Sequence, residues 1–266
     1  MRYTYDHDFH IHSKLSVCSN DPQQTTDKIL RYAEKNNLKT ICLTDHFWDD
    51  TIEGASIFYR GQNYDHITKA KPLPSSKDVT FLFGCETEFD RYFRVGISKG
   101  IIEKLDFVVI PITHFHMSNF TLSLEDLLNA ETKAAAWIKR LDAVLDMNLP
   151  YHKIGLAHLT CTLISQSADE YLNVLQLLKE EDLTRLFCKA AKVGVGIELN
   201  MVDMMFPFGG QDIVLKPYRI AKQCGCKFYL GTDAHHPDRF DHAKEIFERT
   251  IDLLELTEED KFIIHG

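Results

Sequence analysis

The chain has 266 residues, a net charge of −9, and 44% hydrophobic against 26% charged residues, the balance of a globular fold with ample core. This acidity argues against a nucleic-acid backbone as the main partner, because that contact is made by clustered lysine and arginine. No apolar run approaches the roughly 20 residues of a membrane helix, and Met1 to Asp8 lacks the apolar stretch of a secretory signal, so a cytoplasmic protein is expected.

Short apolar runs alternate with longer amphipathic stretches, the pattern of βα units around a parallel sheet. Seven strands are expected, at 8–12, 40–44, 79–86, 106–114, 153–158, 195–200 and 227–233. Apolar residues recurring at three- and four-residue steps predict helices over 25–37, 122–147 and 180–193. Thr26, Ser123 and Thr184, or their neighbours, are cap candidates, and Gly194 and Gly225 stand where helix C-termini favour glycine. No repeat or linker interrupts the series, so 1–266 is expected to form one α/β domain of the length a barrel takes. The segments 47–76 and 201–215 break the rhythm, and both follow strands, where barrel enzymes place substrate contacts. The seven cysteines are scattered and odd in number, and they read as reduced thiols, Cys224 and Cys226 included.

The strand ends carry the chemistry. Alternation in the first strand sends Asp8, His10 and His12 to one face. The second ends in Asp45 and His46, the third in Glu86 with Glu88 beyond, the fourth in His114 and His116, the fifth in His158, and the sixth in Glu198 and Asn200. The seventh delivers Asp233 and His235, with His236 next. A lone histidine after an apolar run is usually structural. Six of 13 (His10, His12, His46, His114, His158 and His235) reaching one end of successive parallel strands are gathered at a single mouth. Burying such a set without a cation carries a large desolvation cost. Divalent metal accounts for the set, and because the count exceeds the four ligands of one site, at least two ions sharing a carboxylate are expected. His7, His66, His116, His152, His236, His242 and His265 fall off this register, and most are expected at the surface, with His116 and His236 the candidates to face ligands or substrate.

Assembled in this order, the chain resembles the PHP family, named for polymerase and histidinol phosphatase. The resemblance rests on His-Ile-His at 10–12, Thr-Asp-His at 44–46, Gly-Cys-Glu at 84–86, His114, His158 and Gly-Thr-Asp-Ala-His at 231–235, over nearly the whole chain. It implies a distorted seven-stranded, TIM-like (βα)7 barrel with its metal site at the C-terminal ends of the strands. It also implies two or three divalent ions, zinc, manganese or iron, and a small phosphorylated substrate such as histidinol phosphatases cleave. Carried over by motif, one ion takes His10, His12, Glu86 and Asp233, a second shares Glu86 and adds His114 and His158, and a third takes His46 and His235. A further family histidine of the third site falls on Cys18, whose thiol suits a softer metal. The family's arginine-containing loop after the sixth strand is replaced by the apolar Met201 to Phe208, which leaves Arg60, Asn200 and Arg239 as substrate candidates.

The reaction implied is in-line attack of a metal-activated hydroxide on phosphorus. Asp233 or His235, and alternatively His236 or a metal-bound water, are the candidates to protonate the leaving alcohol, and Asp8 is expected to orient a ligand imidazole. A phosphodiesterase or nucleotide phosphatase, a hydrolase of cyclic amides or esters, and a non-catalytic metal-binding barrel with a decayed third site are the alternatives.

Overall fold

The computed structural model describes residues 1–264 apart from 166, 207 and 208. His265, and the Pro207 and Phe208 part of the expected substrate loop, lie outside the described residues.

Among the described residues there are nine strands: β1 (His7–Ile11), β2 (Thr40–Leu43), β3 (His46–Phe47), β4 (Thr80–Phe83), β5 (Cys85–Thr87), β6 (Val108–Pro111), β7 (Ile154–Ala157), β8 (Gly196–Asn200) and β9 (Lys227–Gly231). They form two sheets with every ladder parallel, one ordered β1-β2-β4 and the other β3-β5-β6-β7-β8-β9. Each expected strand overlaps one of these, but the third is broken in two, and the short β3 follows just beyond the expected end of the second. The break at Gly84 is a change of partner. Gly84 N donates to Leu43 O while Cys85 N donates to Phe107 O, so one residue carries the strand from β2 across to β6. A side chain at Gly84 would run into the Phe107 carbonyl and the Cys42 thiol, and glycine permits the crossing.

At the other margin, Asp233 N donates to His10 O at 2.7 Å and His12 N to Ala234 O at 3.1 Å. The buried amide of Gln24 donates to both His12 O and Ala234 O, at 2.8 and 3.0 Å, clasping the chain after β9 to the chain after β1. Strands β6, β7 and β8 bury every residue, as a parallel sheet covered on both faces requires.

The helices are α1 (Thr26–Lys35), α2 (Tyr64–Ile67), α3 (Lys99–Ile102), α4 (Ala130–Leu145), α5 (Ala168–Leu177), α6 (Glu180–Val193), α7 (Gln211–Gln223) and α8 (Ala243–Leu253). Thr25, neighbour of the expected cap, accepts from Lys28 N at the start of α1. The helix expected over 122–147 begins later. Ser123 and Asp126 exchange bonds around a short 3-10 turn, and Asn129 opens α4 with a capping box to Thr132. Thr184 lies inside α6 and caps nothing, whereas Gly194, at φ 78°, ends that helix. Because α7 starts at Gln211, the last part of the segment 201–215 is helical rather than loop. All seven cysteines are free. Among the described residues, no helix is long and apolar enough to cross a membrane.

Candidate metal centre

The residues at the strand ends converge. His10 and His12 flank the end of β1, His46 begins β3, Glu86 lies in β5, His114 follows β6, His158 follows β7, and Asp233 and His235 follow β9. Glu86 is the hub. Its Oε2 stands 3.6 Å from His10 Nε2, 3.4 Å from His12 Nε2 and 2.8 Å from His46 Nδ1, and its Oε1 lies 3.7 Å from His158 Nε2. Asp233 spans the same ring, with Oδ1 3.1 Å from His12 Nε2 and Oδ2 3.4 Å from His158 Nε2. His235 stacks on His12, ring centres 4.0 Å apart.

Among the described residues, five groups of donor atoms are compact enough to hold one ion, three of them built from the strand-end set alone: His10, His12 and Glu86; Glu86, His114 and His158; and His12, His46 and His235; the other two add Glu198 to His10 and His158, and Cys161 and Asp203 to His158. Cys18 joins the group of His12, His46 and His235, its Sγ 3.1 Å from His46 Nε2. Burial pushes the Cys18 thiol up, but bonds to His235 and His46 outweigh this and bring it down to about 7.

The contacts of His46 Nδ1 with Glu86 Oε2 and of His12 Nε2 with Asp233 Oδ1 are close but not aligned as hydrogen bonds, and several atoms here are buried with no hydrogen-bond partner among the described residues: both oxygens of Glu86, Asp233 Oδ1, His46 Nδ1, His158 Nδ1 and His235 Nε2. Each buried polar atom left unpaired costs about 1–3 kcal/mol, and cations at the centre of the ring satisfy the oxygens and the ring nitrogens that face it. The donor set, imidazoles with two carboxylates, fits divalent transition metals. Burial raises the Glu86 carboxyl, but His46 and His10 more than offset it and hold it well below the usual range. Asp233 is likewise raised by burial and lowered further by His10 and His235. Both carboxylates are therefore anionic at neutral pH.

The rings are held from behind. His10 Nδ1–H donates to Glu198 Oε1 at 2.6 Å, and His114 Nδ1–H to Glu88 Oε2 at 2.8 Å. His12 Nδ1–H donates to Ser16 Oγ at 2.9 Å, and the Ser16 hydroxyl donates in turn to Asp45. His235 Nδ1–H donates to the Asp233 carbonyl at 2.8 Å. Fixing Nδ1 in this way fixes the direction of Nε2 for each of these four rings. The backbone is strained where two donors leave their strands, with His158 at φ 56° and Asp233 at φ 52°, a left-handed conformation that costs of order 1–3 kcal/mol outside glycine.

A model of the PHP domain family matches residues 8–252. The chain belongs to the PHP family. No curated protein matches it significantly by sequence. Among solved structures, the histidinol phosphate phosphatase of Lactococcus lactis subsp. lactis, in complex with zinc, L-histidinol and phosphate, aligns with a TM-score of 0.62 at 18% identity. The alignment covers 92% of this chain and 93% of that one. At such identity the likeness is one of fold.

Within this PHP fold, the expected donors meet at one place, and other expectations need correction. Asp8 touches no imidazole: its carboxylate accepts from Thr232 N, the Thr232 hydroxyl and the Tyr32 hydroxyl. The register of β1 against β2 shifts between Asp8 and Ile11, and this irregularity breaks the alternation that had put Asp8 on the side of His10. The task of orienting His10 falls to Glu198, read from sequence as a strand-end ligand. His7 is buried rather than exposed, with Nε2 accepting from Leu230 N.

His236 faces Asp21 at 3.4 Å and does not line the cavity over the donors. His116 does line it. Arg60 and Arg239 are exposed and outside the cavity wall. Asn200 is buried, its amide donating to Glu198 and its carbonyl oxygen holding the turn at Val202. Sequence reasoning gave no role to Asp203, which stands behind His158 at 3.8 Å, or to Ser16. A carboxylate just after a strand that already ends in Glu198 and Asn200 was the available signal for Asp203.

Proposed function

We propose that the chain is a metal-dependent phosphoesterase acting on a small phosphate monoester, its strands forming one seven-staved, TIM-like barrel domain. The observation that carries this reading is Glu86, a fully buried carboxylate with both oxygens unpartnered among the described residues, at the meeting point of two donor groups. In this reading His10, His12, Glu86 and Asp233 hold one ion, Glu86, His114 and His158 a second, and His46, His235 and Cys18 a third, with zinc, manganese or iron as the metal.

Divalent ions bound there supply a water of lowered pKa as nucleophile and neutralise charge on the phosphate oxygens. The protein's part is to hold that geometry. Glu198, Glu88 and Ser16 keep three imidazoles aimed at the centre, and the strained turns at His158 and Asp233 set the floor of the cavity. Of the side chains considered for protonating the leaving alcohol, Asp233 and His235 line the cavity, but Asp233, despite its burial, is held anionic by His10 and His235 and has no proton to give, which leaves His235. His236, turned toward Asp21, is set aside.

The test is metal content by mass spectrometry on protein purified without chelators, with phosphate release from a panel of monoesters assayed on the same sample. Two or three ions per chain together with release are expected. Near-zero metal and no release after zinc, manganese and iron have been supplied would sink the proposal.

A further inference from the structure

We infer that the leaving group of the substrate is an uncharged, apolar alcohol carrying a ring or branched chain, rather than an amino alcohol or a sugar. This rests on the phosphomonoesterase reading above. The cavity over the donors has a volume of about 340 Å³, at the small end of ligand pockets, which run roughly 300–1,000 Å³, and so suits a phosphate with one ring-sized group. Its walls beyond the donors are largely apolar: Phe58 and Tyr59 from the segment after β3, Met117 after β6, Leu163 after β7 and Val202 after β8.

No lysine or arginine is among the described lining residues, and Glu86 and Asp233 are the carboxylates that line the cavity. Both are ringed by the donor histidines. The other nearby carboxylates lie outside the cavity wall: Glu88 is engaged with His114 and Tyr59, Asp21 sits beside His236, and Asp203 accepts from the Thr160 amide through Oδ2 while its Oδ1, unpartnered among the described residues, faces His158 Nδ1 at 3.8 Å behind that ring. An ammonium drawn into this cavity therefore sheds water and meets no free anion in the described wall. A sugar fares little better, because Thr162 and His116 are the main hydrogen-bonding side chains of the wall beyond the donors. Exposed apolar side chains continue outward on the same loops. Val17 is next to Cys18, Ile57 next to Phe58, and Met205 shortly after Val202.

The test compares 3-phenylpropyl phosphate with 2-amino-3-phenylpropyl phosphate, which share a skeleton and differ by one ammonium, and adds histidinol phosphate. The metal-loaded enzyme supplies kcat/KM for each ester, and calorimetry supplies the affinities of the matching non-hydrolysable phosphonates. The neutral ester is expected to lead by about tenfold or more, with the neutral phosphonate binding more tightly by a similar factor, as for a polar group left unpaired in a pocket. The ammonium makes its alcohol the better leaving group, so intrinsic reactivity works against this expectation. Leu163→Glu, at a wall position 40% exposed, should move the preference toward the amino ester. Equal or better use of the amino esters by the unmodified enzyme, or a ratio unmoved by Leu163→Glu, overturns the inference and leaves the phosphatase reading standing. Absence of release from every ester and of binding by every phosphonate overturns both.

Discussion

Glu86 has both carboxylate oxygens buried without a hydrogen bond among the described residues, and four imidazoles point nitrogens at it. Glu86→Gln keeps the shape and removes the charge, so metal occupancy and turnover should fall together; full occupancy with unchanged turnover would refute the bridging role. Glu198 acts one step removed. With its oxygen gone in Glu198→Ala, His10 loses its 2.6 Å anchor, and metal affinity should drop by roughly 10–100-fold in a competition titration against a chromophoric chelator. An unchanged affinity would reduce Glu198 to core filling.

His7 makes a pH prediction away from the donors. Burial lowers its pKa below the ordinary value of 6.5, and its Nε2 accepts from Leu230 N, so the folded state holds it neutral. A histidine depressed in this way contributes full stability above pH 6.5, and that contribution is lost as pH falls below 6.5 and only the unfolded chain takes up the proton. In excess chelator, the urea midpoint of the unmodified protein should fall between pH 7.5 and 5.5 by more than that of His7→Gln; equal falls would show that His7 is not the group responsible. At this scale the donor set was legible because imidazoles and carboxylates at successive strand ends have few structural uses. Asp8 was misread because a register shift inside a strand leaves no mark in residue alternation.

Among the elements, α4 supports the site from behind. Arg140 on this helix is buried and donates to the carbonyls of Ile112, Thr121 and Phe89, and it lies 3.7 Å from Glu88, the carboxylate that orients His114. Burial lowers its guanidinium to about 10, so it remains charged at neutral pH. Arg140→Met would leave three carbonyls and the Glu88 charge without their partner. A loss of about 3–5 kcal/mol is expected in urea denaturation of the metal-free protein, the penalty typical of breaking a buried charge contact; a loss under 1 kcal/mol would mean that the loops hold themselves. Periodicity placed α1 and α6 closely and found α4, but started it several residues too early. It missed the division of the third strand at Gly84, because an exchange of neighbours is a property of the sheets on either side and no pattern within residues 79–86 encodes it.

On the scale of the whole molecule, the donors tie together strands that are otherwise joined by helices and loops. Ions that bind only the folded form stabilise it by mass action, about 2.7 kcal/mol at a hundred times the dissociation constant. Thermal unfolding should shift upward with zinc or manganese and downward with chelator, and a melting temperature indifferent to both would contradict the donor geometry. The order of strands and the common end of their ligands were readable from the sequence, as was the family. The splitting of the strands into two sheets was not, because it depends on how parallel ladders are shared among neighbours.

The clasp of Gln24 on His12 and Ala234 also bears on how the protein is made. Asp233 leaves the ribosome roughly 220 residues after His12, which at ~5–20 residues per second is a delay of about 10–45 s. Throughout that interval the nascent chain carries a partial set of imidazoles and lacks at least one of the two carboxylates. The complete set of donor side chains, and with it any site that could hold ions, therefore exists only once translation is nearly finished.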